Sequence, residues 1–110
     1  MSRASKAAAV ARYLGSRSGI PLVSVDKGTN TINAPAPYGF IVTTDASSSR
    51  YWAHIKDLPE IGIHAVIRYD KHIRELEDAV VGIRLSTFTT LLETHYNTIS
   101  DRINNKIKGD

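Results

Sequence analysis

The chain has 110 residues, of which 42% are hydrophobic and 23% are charged, and this is the length and composition of one folded domain. It contains no cysteine, which excludes disulfide frameworks, thiolate zinc sites and cysteine nucleophiles and favours a cytoplasmic location, in the host cell if the protein is viral. No apolar run approaches the roughly 18 residues of a membrane span. The N-terminal segment is too interrupted by charge for a signal peptide, so we expect no membrane partner.

The net charge of +3 is distributed unevenly along the chain. Residues 1–56 contain seven basic and two acidic side chains, whereas residues 57–110 contain seven basic and nine acidic ones. Clustered cations attract polyanions over about a Debye length, roughly 10 Å at moderate salt. Two interpretations stay open, a nucleic-acid-binding surface in the N-terminal half and a basic surface that keeps a small protein soluble.

The first predicted element is a helix over residues 5–14 (SKAAAVARYL), because Ala, Lys, Arg and Leu favour helix and Gly15 can end it. One stripe of this helix is apolar and consists of Ala7, Ala11 and Leu14. A second face carries Lys6 and is extended by Arg3 and Arg17, so the helix presents a basic surface.

Alternating apolar and polar residues predict a first strand over about 20–27. Residues 28–37 are rich in Gly, Asn and Pro and predict a long loop, a kind of segment that is often functional or mobile. The aromatic and β-branched stretches predict four further strands, at 38–44, 50–56, 63–69 and 79–85. The short link after residue 56 favours antiparallel pairing, so the middle strands are expected to form a meander.

From Ser86 to about Lys108 the apolar residues recur every three or four positions and predict a long C-terminal helix. The predicted fold class is therefore α+β, a mostly antiparallel sheet of about five strands with an N-terminal and a long C-terminal helix in one domain over 1–110. The end of the long helix extends beyond what so small a core needs, which predicts a homodimer; the alternative is a helix folded back on its own sheet. The expected dimer seam consists of Leu92, Tyr96, Ile99, Ile103 and Ile107.

If the residues Tyr51, Ala53 and Ile55 of the predicted strand at 50–56 face the core, strand alternation places Trp52, His54 and Lys56 on the outer face of the sheet. Two arginines join this row from the next strands, Arg68 and Arg84. An exposed aromatic ring beside cations is typical of surfaces that bind unpaired nucleic acid, where each stacked base contributes about 1–3 kcal/mol. The alternative is that Trp52 is covered by a helix and belongs to the core.

No motif in the sequence predicts a catalytic residue, a metal site or a cofactor. The four histidines have none of the spacings of zinc sites. No glycine-rich phosphate loop and no Gly-x-Ser-x-Gly elbow is present. The sequence therefore favours a protein that is not an enzyme.

The order of the predicted elements, with the strands YGFIV, RYWAHIK, IHAVIRYD and AVVGIRL and the closing STFTTLL, resembles that of the small archaeal and phage Holliday-junction resolvases of the restriction-endonuclease-like fold. The resemblance covers roughly residues 5–92. In that family an acidic residue leading the second strand and Glu-x-Lys on the third hold a metal ion that activates water. Here Tyr38-Gly39 and His54-Ile55-Lys56 stand at those positions, and DLPEIG replaces the helix between the third and fourth strands. The resemblance thus implies a relative that binds nucleic acid without cutting it.

The leading hypothesis is a small, phage-like, non-catalytic nucleic-acid-binding protein that acts as a dimer. Its expected contact residues are Arg3, Lys6, Arg12, Arg17, Lys27, Arg50, Trp52, His54, Lys56 and Arg68. One alternative is an interaction or inhibitor module that binds a larger protein partner through the long helix or through residues 28–37. A third is a metal-dependent nuclease whose carboxylates would come from Asp26, Asp45 and Asp57.

Overall fold

Three helices and five strands make up the part of the chain that the computed structural model describes, which is residues 3–21, 24–26, 30–45 and 48–108, with side chains for 6–21, 25, 26, 30–45 and 49–103. In chain order the elements are α1 (Arg3–Ser18), β1 (Ser24–Asp26), β2 (Thr31–Asn33), β3 (Tyr38–Thr43), α2 (Ser48–Lys56), β4 (Ile63–Arg68), β5 (Val80–Gly82) and α3 (Leu85–Lys108). A short 3₁₀ helix, Leu76–Asp78, precedes β5. The predicted α+β class is confirmed, as are its N-terminal helix and its long C-terminal helix.

The five strands form one mixed sheet in the order β1-β2-β3-β4-β5. Three neighbouring pairs are antiparallel, and β3 and β4 run parallel. The expected meander is therefore wrong between β3 and β4. A parallel pair needs a crossover, and residues 44–62, which include α2, supply one of sufficient length.

The predicted strand at 50–56 is wrong, because this segment is helix α2. Tyr51, Ile55 and Leu58 recur at helical spacing and are the residues that turn inward, whereas Ala53, which strand alternation placed in the core, is exposed. The sheet reaches five strands nonetheless, because β2 lies inside the segment predicted as a loop. Its central residue Ile32 is 1% exposed and pairs with Val25 and Phe40 on the neighbouring strands.

Helix α1 covers one face of the sheet with small side chains. Ala7, Val10 and Ala11 are buried, and they share one cluster with Val42 of β3 and Ile67 of β4. The helix ends at Ser18, later than predicted, because Gly19 rather than Gly15 adopts a positive φ of 79°. The Gly19 amide donates to the carbonyl of Gly15 at 3.0 Å, which closes the last turn.

Helix α2 covers the opposite face. Val66 is adjacent to Ile67 in β4, so its side chain points away from α1, and it pairs with Gly82 of β5. The position that a Cβ of Gly82 would occupy lies against the ends of the Tyr51 and Ile55 side chains of α2. The two shorter helices therefore sandwich the sheet between them.

Helix α3 begins within one residue of the predicted position and leaves the body of the fold. The molecule measures 54 × 26 × 26 Å, and its radius of gyration is 16.0 Å, against about 13 Å expected for a compact domain of this length. The large apolar side chains of α3 are at least 39% exposed, so this helix does not fold back on its own sheet. Among the described residues, no helix combines the length and the hydropathy needed to cross a membrane.

Candidate nucleic-acid interface

A groove of about 450 Å³ lies where the C-terminal end of α2 meets the segment between β5 and α3. We call it the Trp52 groove, and its lining consists of Trp52, Ile55, Lys56, Ile83, Arg84 and Leu85. Because Tyr51 and Ile55 face the sheet, Trp52 and Lys56, four residues apart on the helix, lie side by side at its outer edge. The Trp52 side chain is 65% exposed and is not covered by a helix, which removes the core interpretation.

Arg84 fixes one wall of the groove. Its Nη2 donates a hydrogen bond to the Lys56 carbonyl at 3.1 Å, at the last residue of α2. A cation at a helix C-terminus satisfies an open carbonyl and opposes the helix dipole, so the guanidinium is held in place. The Nη1 atom of Arg84 is buried and has no hydrogen-bond partner among the described residues. The groove therefore combines an exposed aromatic ring with a fixed guanidinium.

The other exposed polar residues of α2 surround the groove unevenly. Lys56 is exposed, and no described carboxylate lies within ion-pair distance of it. Arg50 is exposed too, but its Nη1 lies 3.2 Å from Asp45 Oδ2. His54 is exposed two residues from Trp52, a rotation of about 200° on a helix, so it does not line the groove. Trp52 and Lys56 are thus the predicted residues that meet there.

Arg68 is part of the packed body rather than of the exposed surface. Its Nε donates to Asp70 Oδ2 at 2.7 Å, and its guanidinium lies 5.8 Å from the centroid of the Tyr51 ring. Asp70 is 3% exposed and also accepts a hydrogen bond from the His72 amide at 2.8 Å. The His72 amide, followed by Arg68, lowers the pKa of the Asp70 carboxyl, and burial raises the pKa of the Tyr51 phenol. These contacts give Arg68 a structural role.

The basic residues of α1 lie on the other face of the sheet. The helix contains no acidic residue, and Arg12 and Arg17 are exposed without a carboxylate partner in the described part of the chain. Lys6 Nζ lies 5.0 Å from the Tyr69 ring centroid, and the Arg17 guanidinium lies 5.0 Å from the Tyr13 ring centroid. The two predicted groups of cations, on α1 and on α2, are therefore not brought together.

Some predicted residues fall outside the described atoms. Lys27 lies outside the described residues, and the side chains of Arg3 and Ile107 are not described, although their backbones belong to α1 and α3. The remaining seam residues, Leu92, Tyr96, Ile99 and Ile103, are exposed on α3. Sequence reasoning missed Ile83 and Leu85 as groove residues, because they line it only when 48–56 is a helix.

The carboxylates considered for a nuclease are dispersed. Asp26 ends β1, Asp45 follows β3 and pairs with Arg50, and Asp57 follows α2. Within the described residues, no three His, Asp or Glu side chains are grouped so that they could hold a metal ion.

The strand numbering behind the resolvase resemblance also changes with the observed elements. The third strand is β3, Tyr38–Thr43, and a helix, α2, does separate it from the fourth, contrary to the expectation from DLPEIG. His54-Ile55-Lys56 therefore lies on a helix, and β3 contains no acidic residue and no lysine. Comparison with protein-family models, with curated proteins and with solved structures finds no match to this chain.

Proposed function

We propose that the protein binds unpaired nucleic acid in the Trp52 groove and does not cut it. The observation that carries this proposal is the position of the Trp52 ring, 65% exposed in one groove with Lys56 and Arg84. The proposal narrows the predicted interface from ten residues on two faces of the sheet to one groove beside α2.

The groove has the two components that unpaired nucleotides require. An exposed indole offers a face on which a base of any identity can stack, and each such stack is worth about 1–3 kcal/mol. The Lys56 ammonium, on its flexible stem, can reach a phosphate beside the stacked base, and Arg84 adds positive charge at the groove wall. The guanidinium of Arg84 could read guanine, but its Nη2 is bonded to the Lys56 carbonyl and its Nη1 is buried. Binding is therefore expected to be sequence-tolerant.

The number of phosphate contacts gives the proposal a quantitative signature. Each cation that neutralises a phosphate of a single strand contributes about −0.7 to the slope of log affinity against log salt concentration. Two cations in the groove predict a slope of about −1.4, or a roughly sevenfold loss of affinity between 50 and 200 mM salt. Six contacts spread over both faces would instead predict a loss of several hundredfold, on the order of 300-fold.

Trp52 is the only tryptophan in the chain, so its fluorescence reports on the groove directly. Titration with a single-stranded oligothymidylate is expected to quench this fluorescence in a saturable way, and a duplex of the same length should bind more weakly because its bases are already stacked. The titration is run at 50 and 200 mM salt. Unchanged fluorescence at the lower salt would overturn the proposal, as would a salt dependence of several hundredfold.

Variants assign the binding to the groove, with affinity measured by the anisotropy of a labelled strand. Trp52→Ala should weaken binding about 5- to 150-fold, the equivalent of one lost stack. Lys56→Glu should weaken it further than Lys71→Glu, which makes the same charge change at an exposed position after β4, at the far end of that strand from the groove. Equal losses in the two lysine variants would mean that net charge alone drives binding.

The nuclease alternative is tested in the same mixture. With magnesium or manganese present, the labelled strand is expected to stay intact. Cutting that Asp45→Ala or Asp57→Ala abolishes would replace the proposed binding role with a catalytic one.

A further inference from the structure

We infer that two copies of the chain associate through the apolar face of α3. This inference does not depend on nucleic-acid binding, because it is argued from the exposed apolar residues of α3, of which only Leu85 also lines the Trp52 groove. The surface concerned, which we call the α3 strip, consists of Leu85, Phe88, Leu92, Tyr96, Ile99 and Ile103.

The α3 strip is continuous and free of charge. At 100° per residue its six side chains fall within an arc of about 80°, and they extend along about 27 Å of the helix. Among the α3 residues whose side chains the structure describes, 85–103, the charged ones are Glu93, Asp101 and Arg102, and all three fall outside this arc. Apart from the hydroxyl of Tyr96, which stands at one edge of the arc, the strip contains no group that needs a hydrogen-bond partner.

The threonine hydroxyls on the opposite side of α3 form their hydrogen bonds within the helix. Thr90, Thr94 and Thr98 each donate a side-chain hydrogen bond to the carbonyl four residues earlier in the same helix, at 2.9 to 3.1 Å. At the base of the helix this side faces the body, because Thr87 and Thr90 line a pocket together with Gly62. The strip is thus the side of α3 that lacks a partner.

The chain's own body does not provide that partner. Helix α1 packs on β1, β2 and β3, helix α2 packs on β4, and the apolar side chains of the strip remain 40–78% exposed beside this body.

The exposed area is of the size that an association of two copies buries. With Leu91 at its margin, the strip leaves roughly 700 Å² of side-chain surface in water, against about 800 Å² per partner in a standard interface. A typical monomer has a largest apolar patch of about 300–600 Å². A second α3 strip fits this surface, because it is equally long and equally apolar and can cover every residue of the first. Twofold pairing is also the commonest symmetry of soluble oligomers.

The spacing of the strip agrees with helix pairing. Leu85, Leu92 and Ile99 are seven residues apart, and so are Tyr96 and Ile103. A seven-residue repeat keeps one side of a helix facing its partner as the two wind around each other.

The test is the mass of the full chain by light scattering and by sedimentation, over about 1 to 100 µM. A mass that approaches twice 12.1 kDa with increasing concentration is expected. Leu92→Asp and Ile99→Asp should each weaken association at least 100-fold, whereas the conservative Ile99→Leu should retain it. A single monomeric mass at 100 µM would overturn the inference.

The matched control is Thr94→Asp, which places the same charge on the opposite side of the same helix. It should leave the dimer intact, and circular dichroism should show α3 helical in this variant. If Thr94→Asp dissociates the protein as strongly as Ile99→Asp, the strip is not the interface. If neither strip variant changes an observed dimer, the copies meet elsewhere and the inference is wrong.

Discussion

Helices α1 and α3 have the same kind of amphipathic pattern and opposite surroundings. The apolar stripe of α1 is at most 7% exposed at Ala7, Val10 and Ala11, whereas Leu85 and Tyr96 of α3 are 78% and 69% exposed. Periodicity identifies the face of a helix that needs cover, but it does not identify what covers it. The two helices differ in the size of their apolar side chains. The alanines of α1 let that helix approach the sheet closely, whereas the apolar side chains of α3 are large.

Position in the chain explains the rest of the difference. Helix α1 is followed closely by β1 and packs on the sheet that β1–β3 form. Two residues separate helix α3 from β5, which is the strand at one edge of the sheet. The last helix of the chain therefore extends outward.

The largest expected effect comes from placing one carboxylate in the apolar stripe of α1 and, in a second variant, one in the α3 strip. Val10→Asp buries an unpaired charge at a position 3% exposed and should lower the free energy of unfolding by about 3 kcal/mol or more. Ile99→Asp should change the free energy of unfolding by no more than about 0.5 kcal/mol in dilute protein, because a monomer has no second copy on the α3 strip. Urea denaturation at about 1 µM measures both, and similar losses would break the comparison between the helices.

Two glycines with positive φ give a smaller pair of effects. Gly62, at the base of α3, has a φ of 96°, and an added Cβ would lie against the Pro37 carbonyl oxygen. Gly19, at the end of α1, has a φ of 79° and open space around it. We expect Gly62→Ala to destabilise by about 2 kcal/mol and Gly19→Ala by about 1 kcal/mol, which thermal melts can rank. A reversed order would contradict the close approach of Gly62 to the Pro37 carbonyl oxygen.

The buried Asp70 carboxylate predicts how the body responds to acid. Its pKa is lowered from 3.8, so the ionised form stabilises the fold above that pH, and this contribution disappears as the pH falls through the lowered folded-state value. Asp70→Asn should therefore melt below the wild type at pH 7, and the two melting temperatures should converge as the pH falls below 3.8 and through the lowered folded-state pKa. A difference that stays constant with pH would contradict the ionised pair with Arg68.

The smallest expected effect is on the polar side of α3. Thr94→Ala removes a β-branched residue whose hydroxyl bonds only to its own helix, so helicity should rise and stability should increase by about 0.5 kcal/mol or less. Self-association should not change. Loss of association in this variant would mean that the interface lies on the polar side of α3 and not on the α3 strip.

The sequence predicted those elements for which its signals agree on one type of structure. In β3 and β4 the signal is the content of aromatic and β-branched residues, and in α3 it is the recurrence of apolar residues every three or four positions. At α2 two periods compete, because Tyr51 and Ile55 fit a strand and a helix equally well. Leu58 is the residue that distinguishes the helix from the strand, and it lies beyond the predicted segment. At β2 only three residues form the strand, too few for any periodicity.

Two residues of the candidate site were predicted correctly although the segment 50–56 was wrongly predicted as a strand, and the reason is geometric. Trp52 and Lys56 are four residues apart, which places them on one side of either a strand or a helix. His54 is two residues from each, so it shares their side only in a strand. The groove itself depends on Ile83 and Leu85, which tertiary packing brings to α2 and which no local pattern relates to Trp52.

Leu85 belongs both to the Trp52 groove and to the α3 strip. A ligand that displaces this side chain alters the surface that a second copy would cover, and a second copy alters the wall that a ligand would touch. Binding free energies are reciprocal, so the factor by which each bound oligonucleotide changes the dimer dissociation constant must equal the factor by which dimerisation changes the affinity of that groove for the oligonucleotide. One leucine thus makes the two equilibria a single coupled system.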